Sequence, residues 1–313
     1  MIGAGAIGFI SVTLVYSMFG STIPAADAYA YLAAGERLNA GHSVYALVPG
    51  DRAVVLYSGV PLVSPPLIAV LWRPLSALPD GLGRWVWWSA QTLTLGVIVG
   101  HLLRQGRPAV SLAVYALAMP IGFEMAVGNM NGFLAAGAIL VWANRDRWWV
   151  GLLIGVMASA KLVPLLLLAW LIGQRRWSAT VAFGVAVVVC AALVDVGAGP
   201  TTIPAYLMIA SHIRPSPQSL AAVSGITQAS LLALGAFGLL AVVLRGRPAI
   251  AFAVACAGMV IGSPAVNLNW LVMLLPAVVA VASRATAGQT ADPPISGERR
   301  QVTELTTSHV ART

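Results

Sequence analysis

Residues 151–177 read GLLIGVMASAKLVPLLLLAWLIGQRRW, and this pattern recurs through most of the chain. Two apolar runs flank Lys161, the single lysine of the protein, and a pair of arginines closes the stretch. Each run is shorter than the roughly 20 residues that a helix needs to cross a bilayer. The stretch therefore predicts a polytopic, all-α membrane protein in which some helices are tilted, broken or re-entrant.

The composition of the whole chain agrees with this prediction. The 313 residues are 59% hydrophobic and 9% charged, with a mean hydropathy of +0.86, whereas a soluble domain carries about 25% charged residues. The successive apolar runs predict about ten transmembrane helices. These runs are residues 3–20, 84–103, 108–127, 131–143, 148–160, 162–173, 178–194, 223–244, 248–262 and 268–283. The run 65–79 contains four prolines and Arg73, which favours a short hairpin or interfacial helix over a full span.

The net charge of +8 comes largely from arginines in short loops between the predicted spans. Basic loops of this kind are typical of the cytoplasmic side of a membrane protein. The charge therefore indicates topology, and no nucleic-acid partner is expected. We expect a multi-pass protein of the plasma membrane with both termini in the cytoplasm. The loop arginines are Arg104, Arg107, Arg145, Arg147, Arg175, Arg176, Arg245 and Arg247.

This topology places the polar segments on the outer face. They are residues 21–64, 128–132, 195–222 and 263–269. Residues 1–284 are expected to form one membrane domain, and the Thr-, Pro- and Arg-rich tail 285–313 to be cytoplasmic and disordered. No repeat of 20–50 residues is apparent, which argues against a transporter built from inverted repeats.

Two ionisable residues lie in apolar surroundings, where a charge is costly and often functional. Glu124 precedes the loop GNMNG at 128–132, and Lys161 precedes a Val-Pro step that is expected to break its helix. Either the two side chains pair with each other, or Lys161 snorkels to the headgroups, or both serve a polar site. The residues alone leave these alternatives open.

Asp27 also has two interpretations. It precedes a plausible helix at 28–39, and Asp is a favoured N-cap residue, so capping is the simpler explanation. Helical spacing also puts Asp27 and Tyr31 on one face, where the carboxylate could act as a general base beside the tyrosine. His212 and Arg214 are either loop residues or an anion-binding pair. Motifs typical of soluble enzymes and metal-ligand clusters are not found in the sequence.

An ordered set of motifs nevertheless resembles one family. The segment DAYAYLAAGERLNAGHSVYAL at 27–47 supplies an acid, an aromatic, a glycine and a Gly-x-x-x-Tyr step. Further motifs follow in order: VSPPLIAVLWRPLSALP at 63–79, GNMNGFLAAGAIL at 128–140, the stretch 151–177, SPQSL at 216–220 and SPAVNLNWLVMLLPA at 263–277. Together these segments resemble glycosyltransferase family 87, the polyprenol-phosphate-mannose-dependent α-mannosyltransferases of actinobacteria with a GT-C type fold.

The resemblance implies a bundle of about ten transmembrane helices with an outward-facing active-site cavity. It also implies inverting transfer of a sugar, most often mannose, from a polyprenyl phosphate to a glycolipid or lipoglycan acceptor in the bilayer, without a cofactor or metal. One departure is that Asn269 and Trp270 stand where the family often carries adjacent histidines. The role that the family gives those histidines is therefore not transferred to this chain.

The resemblance also implies roles for particular residues. Asp27 matches the family's catalytic acid and is expected to be the general base. Lys161 and Arg214 are the candidates for binding the donor phosphate. The sugar or the cavity is expected to be lined by Tyr31, Tyr45, Tyr57, Glu124, Asn129, Asn131 and Asn269.

Two other functions compete with this one. A transporter or flippase of lipid-linked sugars would share the spans and the buried lysine, although transporter sites lie nearer the membrane midplane. A family member that has lost catalysis and serves as a membrane partner is the other alternative, because of the altered Asn269–Trp270 pair.

Overall fold

A computed structural model describes residues 26–46, 60–213 and 215–289, and this part of the chain contains helices and loops and no strand. Four short 3₁₀ segments, Pro79–Gly81, Val163–Leu165, Leu244–Gly246 and Leu268–Leu274, connect or extend the α-helices. The α-helices are α1 Ala26–Asn39, α2 Leu67–Ser76, α3 Leu82–Arg104, α4 Pro108–Ala116, α5 Ala118–Val127, α6 Asn131–Ala143, α7 Val150–Ala160, α8 Leu166–Gly173, α9 Trp177–Ala198, α10 Thr202–His212, α11 Leu220–Ser224, α12 Ala229–Val243, α13 Pro248–Ile261 and α14 Leu275–Gln289.

The prediction of an all-α membrane protein is confirmed, whereas the predicted count of about ten transmembrane helices is not. Within the described residues, three helical segments are long and apolar enough to cross a membrane alone: Leu82–Arg104, Trp177–Ala198 and Ala229–Gly246. The pair α4 and α5 makes a fourth if the two, bent by 45°, are one span. The other apolar helices are shorter, and the predicted first span at 3–20 lies outside the described residues.

The arginine-bearing loops meet at one end of the bundle. Three side-chain contacts join them: Arg176 pairs with Asp146 at 2.9 Å, Gln174 donates to the Arg245 carbonyl oxygen at 3.2 Å, and Arg107 donates to the Ala282 carbonyl oxygen. The helices α6 and α7 run between this end and the polar segments, because α6 starts at Asn131 and α7 ends just before Lys161. The basic loops and the predicted polar site are therefore at opposite ends of the same helices.

Close packing of α7 on α9 fixes the position of Lys161. Gly151 and Gly155 form a Gly-x-x-x-Gly pair on α7, a spacing that lets two helix backbones approach closely within a membrane. A Cβ at Gly155 would lie 2.6 Å from the Ala186 Cβ and 2.8 Å from the Phe183 carbonyl oxygen of α9. Both glycines are thus required by the helix contact.

The run 65–79 contains the short helix α2, in agreement with the predicted short helix rather than a full span. Helix α2 in turn positions α1. A Cβ at Gly35 would lie 2.7 Å from Ser76 Oγ, so α1 lies directly against the end of α2. Asn39 donates to the Arg73 carbonyl oxygen at 2.9 Å, and Arg73 Nη1 reaches the Gly197 carbonyl oxygen at 3.0 Å. Helix α1, which carries Asp27, is therefore fixed against α2, and α2 in turn is fixed against α9.

An aromatic cluster connects α1 with the helices beside the site. The Tyr31 ring lies 5.9 Å from the Trp72 ring of α2 and 5.9 Å from the Trp87 ring of α3. Trp87 in turn contacts Phe133 of α6, with ring centroids 4.9 Å apart. Tilted and edge-on pairs of this kind add about 0.5–1.5 kcal/mol each beyond their buried area. The cluster thus holds α1, α3 and α6 together around the polar residues described next.

Candidate active site

The loop after α5 places two asparagines next to each other. Helix α5 ends just before Gly128, whose φ of +68° is readily adopted by glycine and whose N–H donates to the Glu124 carbonyl oxygen. Trp87 Nε1 donates to the Gly128 carbonyl oxygen at 2.9 Å. The loop is therefore held against α3, and Asn129 and Asn131 follow it at the start of α6.

Glu124 is fully buried and accepts hydrogen bonds on both carboxylate oxygens. The backbone N–H of Gly132 and the Gln91 side chain donate to Oε1, at 3.1 and 2.8 Å. The side chains of Asn131 and Asn269 donate to Oε2, at 3.0 and 2.9 Å. Four donors from three separate parts of the chain thus converge on one carboxylate, which makes Glu124 the organising centre of the cluster.

Lys161 lies on the same cluster at the end of α7. Its backbone is extended, with φ −155° and ψ 126°, so the helix breaks there as the following Val-Pro step predicts. Its ammonium donates to Asn131 Oδ1 at 2.6 Å and to Asn129 Oδ1 at 3.2 Å. The same nitrogen lies 3.7 Å from the centroid of the Trp270 ring, a cation–π distance.

Among the described contacts, Lys161 and Glu124 form no direct ion pair and are instead connected through the side-chain amide of Asn131. Asn131 accepts from Lys161 and donates to Glu124. The predicted alternative of a direct pair is therefore replaced by a bridged one. A bridging amide lets each charged group keep its own set of hydrogen bonds, and the lysine is buried instead of reaching the headgroups.

Asp27 joins the cluster from α1. Its Oδ2 accepts a hydrogen bond from Asn129 Nδ2 at 2.7 Å. Burial raises the pKa of the Asp27 carboxyl above its usual range, while the Asn129 hydrogen bond and the positive charge of Lys161 act in the opposite direction. The interpretation of Asp27 as an N-cap is wrong, because α1 already includes Ala26 and Asp27 lies within the helix.

The two carboxylates have different environments, and this difference bears on chemistry. Glu124 is fully buried and bonded to four donors, so a further partner would have to displace one of them. Asp27 is only partly buried and shows one such bond among the described contacts. Asp27 is therefore the carboxylate that can still accept a proton from a bound hydroxyl.

The predicted tyrosines lie beside the segment 62–66. Tyr31 is 3% exposed and lies in the aromatic cluster near Ser64. Tyr45 donates from its hydroxyl to the Ser64 carbonyl oxygen at 3.2 Å and stacks on Tyr206, with centroids 6.1 Å apart. Burial raises the pKa of Tyr206 to about 12 and that of Tyr45 further, so both phenols remain protonated donors.

Two predicted residues, Tyr57 and Arg214, lie outside the described residues, and so does the side chain of His212. The motifs on either side of Arg214 do come together. Ser216 N–H donates to the Pro264 carbonyl oxygen at 2.8 Å, which joins the SPQSL segment to the SPAVNLN segment that carries Asn269.

Gln91 and Trp270 were missed by the sequence analysis. Gln91 Nε2 donates to the Glu124 side chain and to the carbonyl oxygens of Glu124 and Asn129. A lone amide in the otherwise apolar span 84–103 was the signal that could have indicated it. Trp270 was noted only as a departure from a family motif. The buried oxygens Gln91 Oε1 and Asn269 Oδ1 accept no hydrogen bond from the described part of the protein.

The described residues contain no group of three or more His, Cys, Asp or Glu side chains that could hold a metal ion. The cluster instead offers one lysine, two carboxylates and four side-chain amides. Such a set can accept a proton at Asp27, bind hydroxyl groups through the amides and place a positive charge near an anion.

The chain also matches known proteins. The sequence model of "Glycosyltransferase family 87" matches residues 63–290, which include Glu124, Lys161 and the three asparagines of the cluster, but not Asp27. A relative in Mycolicibacterium smegmatis, named as a polyprenol-phosphate-mannose-dependent alpha-(1-2)-phosphatidylinositol pentamannoside mannosyltransferase, is 28% identical over 161 residues, which are 49% of this chain and 38% of that protein.

A relative of the same name in Mycobacterium tuberculosis is 29% identical over 175 residues, which are 51% of this chain and 39% of that protein. The matched segments thus span less than two-fifths of either relative. No solved structure matches the chain.

Proposed function

The chain belongs to glycosyltransferase family 87, and on that premise we propose that it is a membrane glycosyltransferase with Asp27 as its general base. The donor is a polyprenyl-phosphate-linked sugar, with mannose favoured by the names of the relatives. The acceptor is a glycolipid, and transfer occurs on the outer face of the plasma membrane. The observation that carries the proposal is the path from Asp27 through Asn129 to Lys161, because one amide couples the carboxylate to the cation.

The proposed topology follows from the distribution of charge. The arginine loops meet at one end of the bundle and the cluster lies at the other, so cytoplasmic arginines put the cluster on the outer side. The short apolar helices on either side of Lys161, α7 and α8, both run between the arginine end and the cluster, so they form a hairpin that enters the membrane from the cytoplasmic side. A bundle of about ten transmembrane segments, as the family resemblance implies, is part of this proposal.

The proposed chemistry is a single displacement at the anomeric carbon. The acceptor oxygen attacks that carbon from the face opposite the phosphate, its proton passes to an Asp27 carboxylate oxygen, and the bond from the carbon to the phosphate oxygen breaks. The polyprenyl phosphate leaves with the bonding electrons, so the configuration inverts. A positioned base of this kind contributes about 10²–10⁴-fold in rate.

Lys161 supplies positive charge for the departing phosphate. Its ammonium is buried, so its field is weakly screened and acts over a longer distance than that of a surface lysine. Asn129 orients the Asp27 carboxylate through one end of its amide and accepts from Lys161 through the other. Gln91 donates to the Asn129 carbonyl oxygen and Glu124 accepts from the Asn131 side chain, which holds both asparagines in place.

The experiment that tests this proposal measures transfer from a radiolabelled polyprenyl-phosphate-mannose. The protein is expressed in a host that lacks the activity, and its membranes are incubated with the donor and a phosphatidylinositol mannoside acceptor, the lipid class that the relatives' names indicate. Labelled glycolipid is expected for the wild type. Asp27→Asn is expected to lower the rate by about 10²–10⁴-fold.

Asp146→Asn is the matched control, because Asp146 lies at the arginine end of the bundle and pairs with Arg176. This variant is expected to keep the wild-type rate. Full activity of Asp27→Asn at wild-type protein levels would exclude Asp27 as the base. Label that crosses the membrane without covalent transfer would instead support a lipid carrier.

A further inference from the structure

We infer that Arg84 forms a second anion site, which binds the phosphate of a lipid substrate at the mouth of the cluster. The inference rests on the proposed function only for the identity of the lipids. Arg84 lies in the first turn of α3, and the guanidinium carbon is 4.0 Å from the centroid of the Tyr29 ring and 5.8 Å from that of Trp85. Tyr29 is the second residue after Asp27 on α1, about 3 Å along the helix axis.

Arg84 lies on the face of α3 that builds the active-site cluster. Residues 84, 87, 88 and 91 are spaced by three and four positions and therefore share one helix face. Trp87 and Trp88 bind the carbonyl oxygens of Gly128 and Met125, and Gln91 binds Glu124. Arg84 is seven residues from Gln91, about 10 Å along the axis, which places it at the N-terminal end of the same face.

The described contacts of Arg84 leave its N–H groups available. They consist of the two aromatic rings, which cover the flat faces of a guanidinium and not its N–H edges. Among the described side chains no carboxylate pairs with it. The half-buried guanidinium packs over the Tyr29 ring, which restricts its motion, so it loses less side-chain entropy than a free arginine when it binds a phosphate in bidentate fashion.

Two further observations indicate a lipid rather than a soluble anion. Trp85 is 56% exposed and forms an edge-on pair with Trp88, an arrangement suited to the membrane–water interface where lipid phosphates lie. Arg84 is also at the end of α3 opposite Arg104 and the arginine loops, on the side where the proposed topology places the lipid substrates.

Lys161 does not duplicate this site. Its ammonium already donates to two asparagines and lies against the Trp270 ring, so a phosphate reaches it only by displacing a partner. A phosphate at Arg84 displaces no described hydrogen bond. Arg84 is thus suited to capture the lipid, and Lys161 to stabilise the charge that develops when the sugar is transferred.

The test is a binding titration on the purified full chain, in which a rise in the midpoint of thermal unfolding reports binding of each probe. The probes are dioctanoyl phosphatidylinositol for an acceptor-type phosphate and farnesyl phosphate for a donor-type phosphate, with dioctanoylglycerol as the probe without phosphate. Arg84→Gln is expected to weaken binding of at least one phosphate probe about tenfold, the loss of a charge-assisted hydrogen bond. Whichever probe responds identifies the source of the phosphate, and dioctanoylglycerol binding should not change.

Two variants keep the test decisive. Arg84→Lys retains the charge without the planar fork and is expected to bind with intermediate affinity. Arg104→Gln removes the same charge at the other end of α3 and is expected to bind as the wild type does. Equal affinity of Arg84→Gln and wild type for both phosphate probes would overturn the inference, as would equal weakening by Arg104→Gln. Because no turnover is read, failure of the proposed transfer reaction would not alter this result.

Discussion

Asn129 donates a hydrogen bond of 2.7 Å to the carboxylate of Asp27, which lies 102 residues earlier in the chain. Asp27 lies on α1 and Asn129 lies in the loop between α5 and α6, and they meet because α1 is fixed against α2 and α3. Asn129 also accepts from Lys161, so the position of its amide determines both partners. This contact makes Asn129 a positioning residue whose removal should change the titration of Asp27.

Removal of the Asn129 amide should shift the pH dependence of transfer. The base works as a carboxylate, so activity is lost as the pH falls through the raised pKa of Asp27. Asn129→Ala removes a hydrogen bond that lowers this pKa, so the acidic limb of the rate profile should move to higher pH. The measurement is kcat/KM against pH. Asn144→Ala, an exposed asparagine at the arginine end, should leave the profile unchanged, and an unshifted limb in Asn129→Ala would contradict the assigned role.

Glu124→Gln should lower stability without mimicking the loss of the base. The substitution replaces one acceptor oxygen by an amide donor that faces donors already in place, and an unsatisfied buried group costs about 1–3 kcal/mol. The free energy of unfolding in detergent should fall by that amount. Glu36→Gln, at an exposed position of α1, is the control and should have the stability of the wild type. Unchanged stability of Glu124→Gln would show that the carboxylate is not the organising centre.

Lys161→Met should impair use of the donor. Methionine keeps the length of the side chain but removes the charge, so the leaving phosphate loses its stabilisation. A loss of about 10²–10³-fold in kcat is expected, by analogy with removal of one preorganised donor, together with a raised KM for the polyprenyl-phosphate sugar. Arg247→Met, at the exposed arginine end, should behave as wild type. Wild-type kcat and donor KM in Lys161→Met would remove the lysine from the phosphate role.

Gly155→Leu should destabilise the contact between α7 and α9. A side chain there meets Ala186 and the Phe183 backbone at 2.6 and 2.8 Å, and overpacking of this kind costs about 1–3 kcal/mol. The midpoint of thermal unfolding reports the loss. Gly184→Leu is the matched control, since nothing lies within 4 Å of a Cβ at Gly184. Equal stability of the two variants would contradict the close approach of the helices.

The proposed topology predicts which end of the bundle faces the outside. Cys190 and Cys256 are buried, so new surface cysteines can be labelled selectively. A membrane-impermeant maleimide added to intact cells should label Ala40→Cys, near the end of α1, and should not label Asn144→Cys. Labelling of Asn144→Cys before permeabilisation would invert the topology and place the cluster in the cytoplasm.

The sequence by itself determined the helical membrane class, because the apolar composition and the length of each run depend only on local residue order. The same holds for the break at Lys161, since the following Val-Pro step disfavours a continuous helix. Several helix bounds followed as well, and the predicted run 131–143 coincides with α6. The arginines in the short loops likewise predicted one basic side of the protein. In the structure, contacts between those loops place them at one end of the bundle.

Only the tertiary structure decided which polar residues meet. Gln91, Glu124 and Asn269 lie far apart in the chain, and their contact depends on how α3, α5 and the 3₁₀ segment before α14 pack. The same packing gives the two carboxylates different environments: Glu124 accepts from four donors, and Asp27 accepts from one described donor. The reason is physical: hydrophobic periodicity specifies that a helix forms and which face it buries, whereas a buried polar side chain takes the partners that the packed helices bring to it.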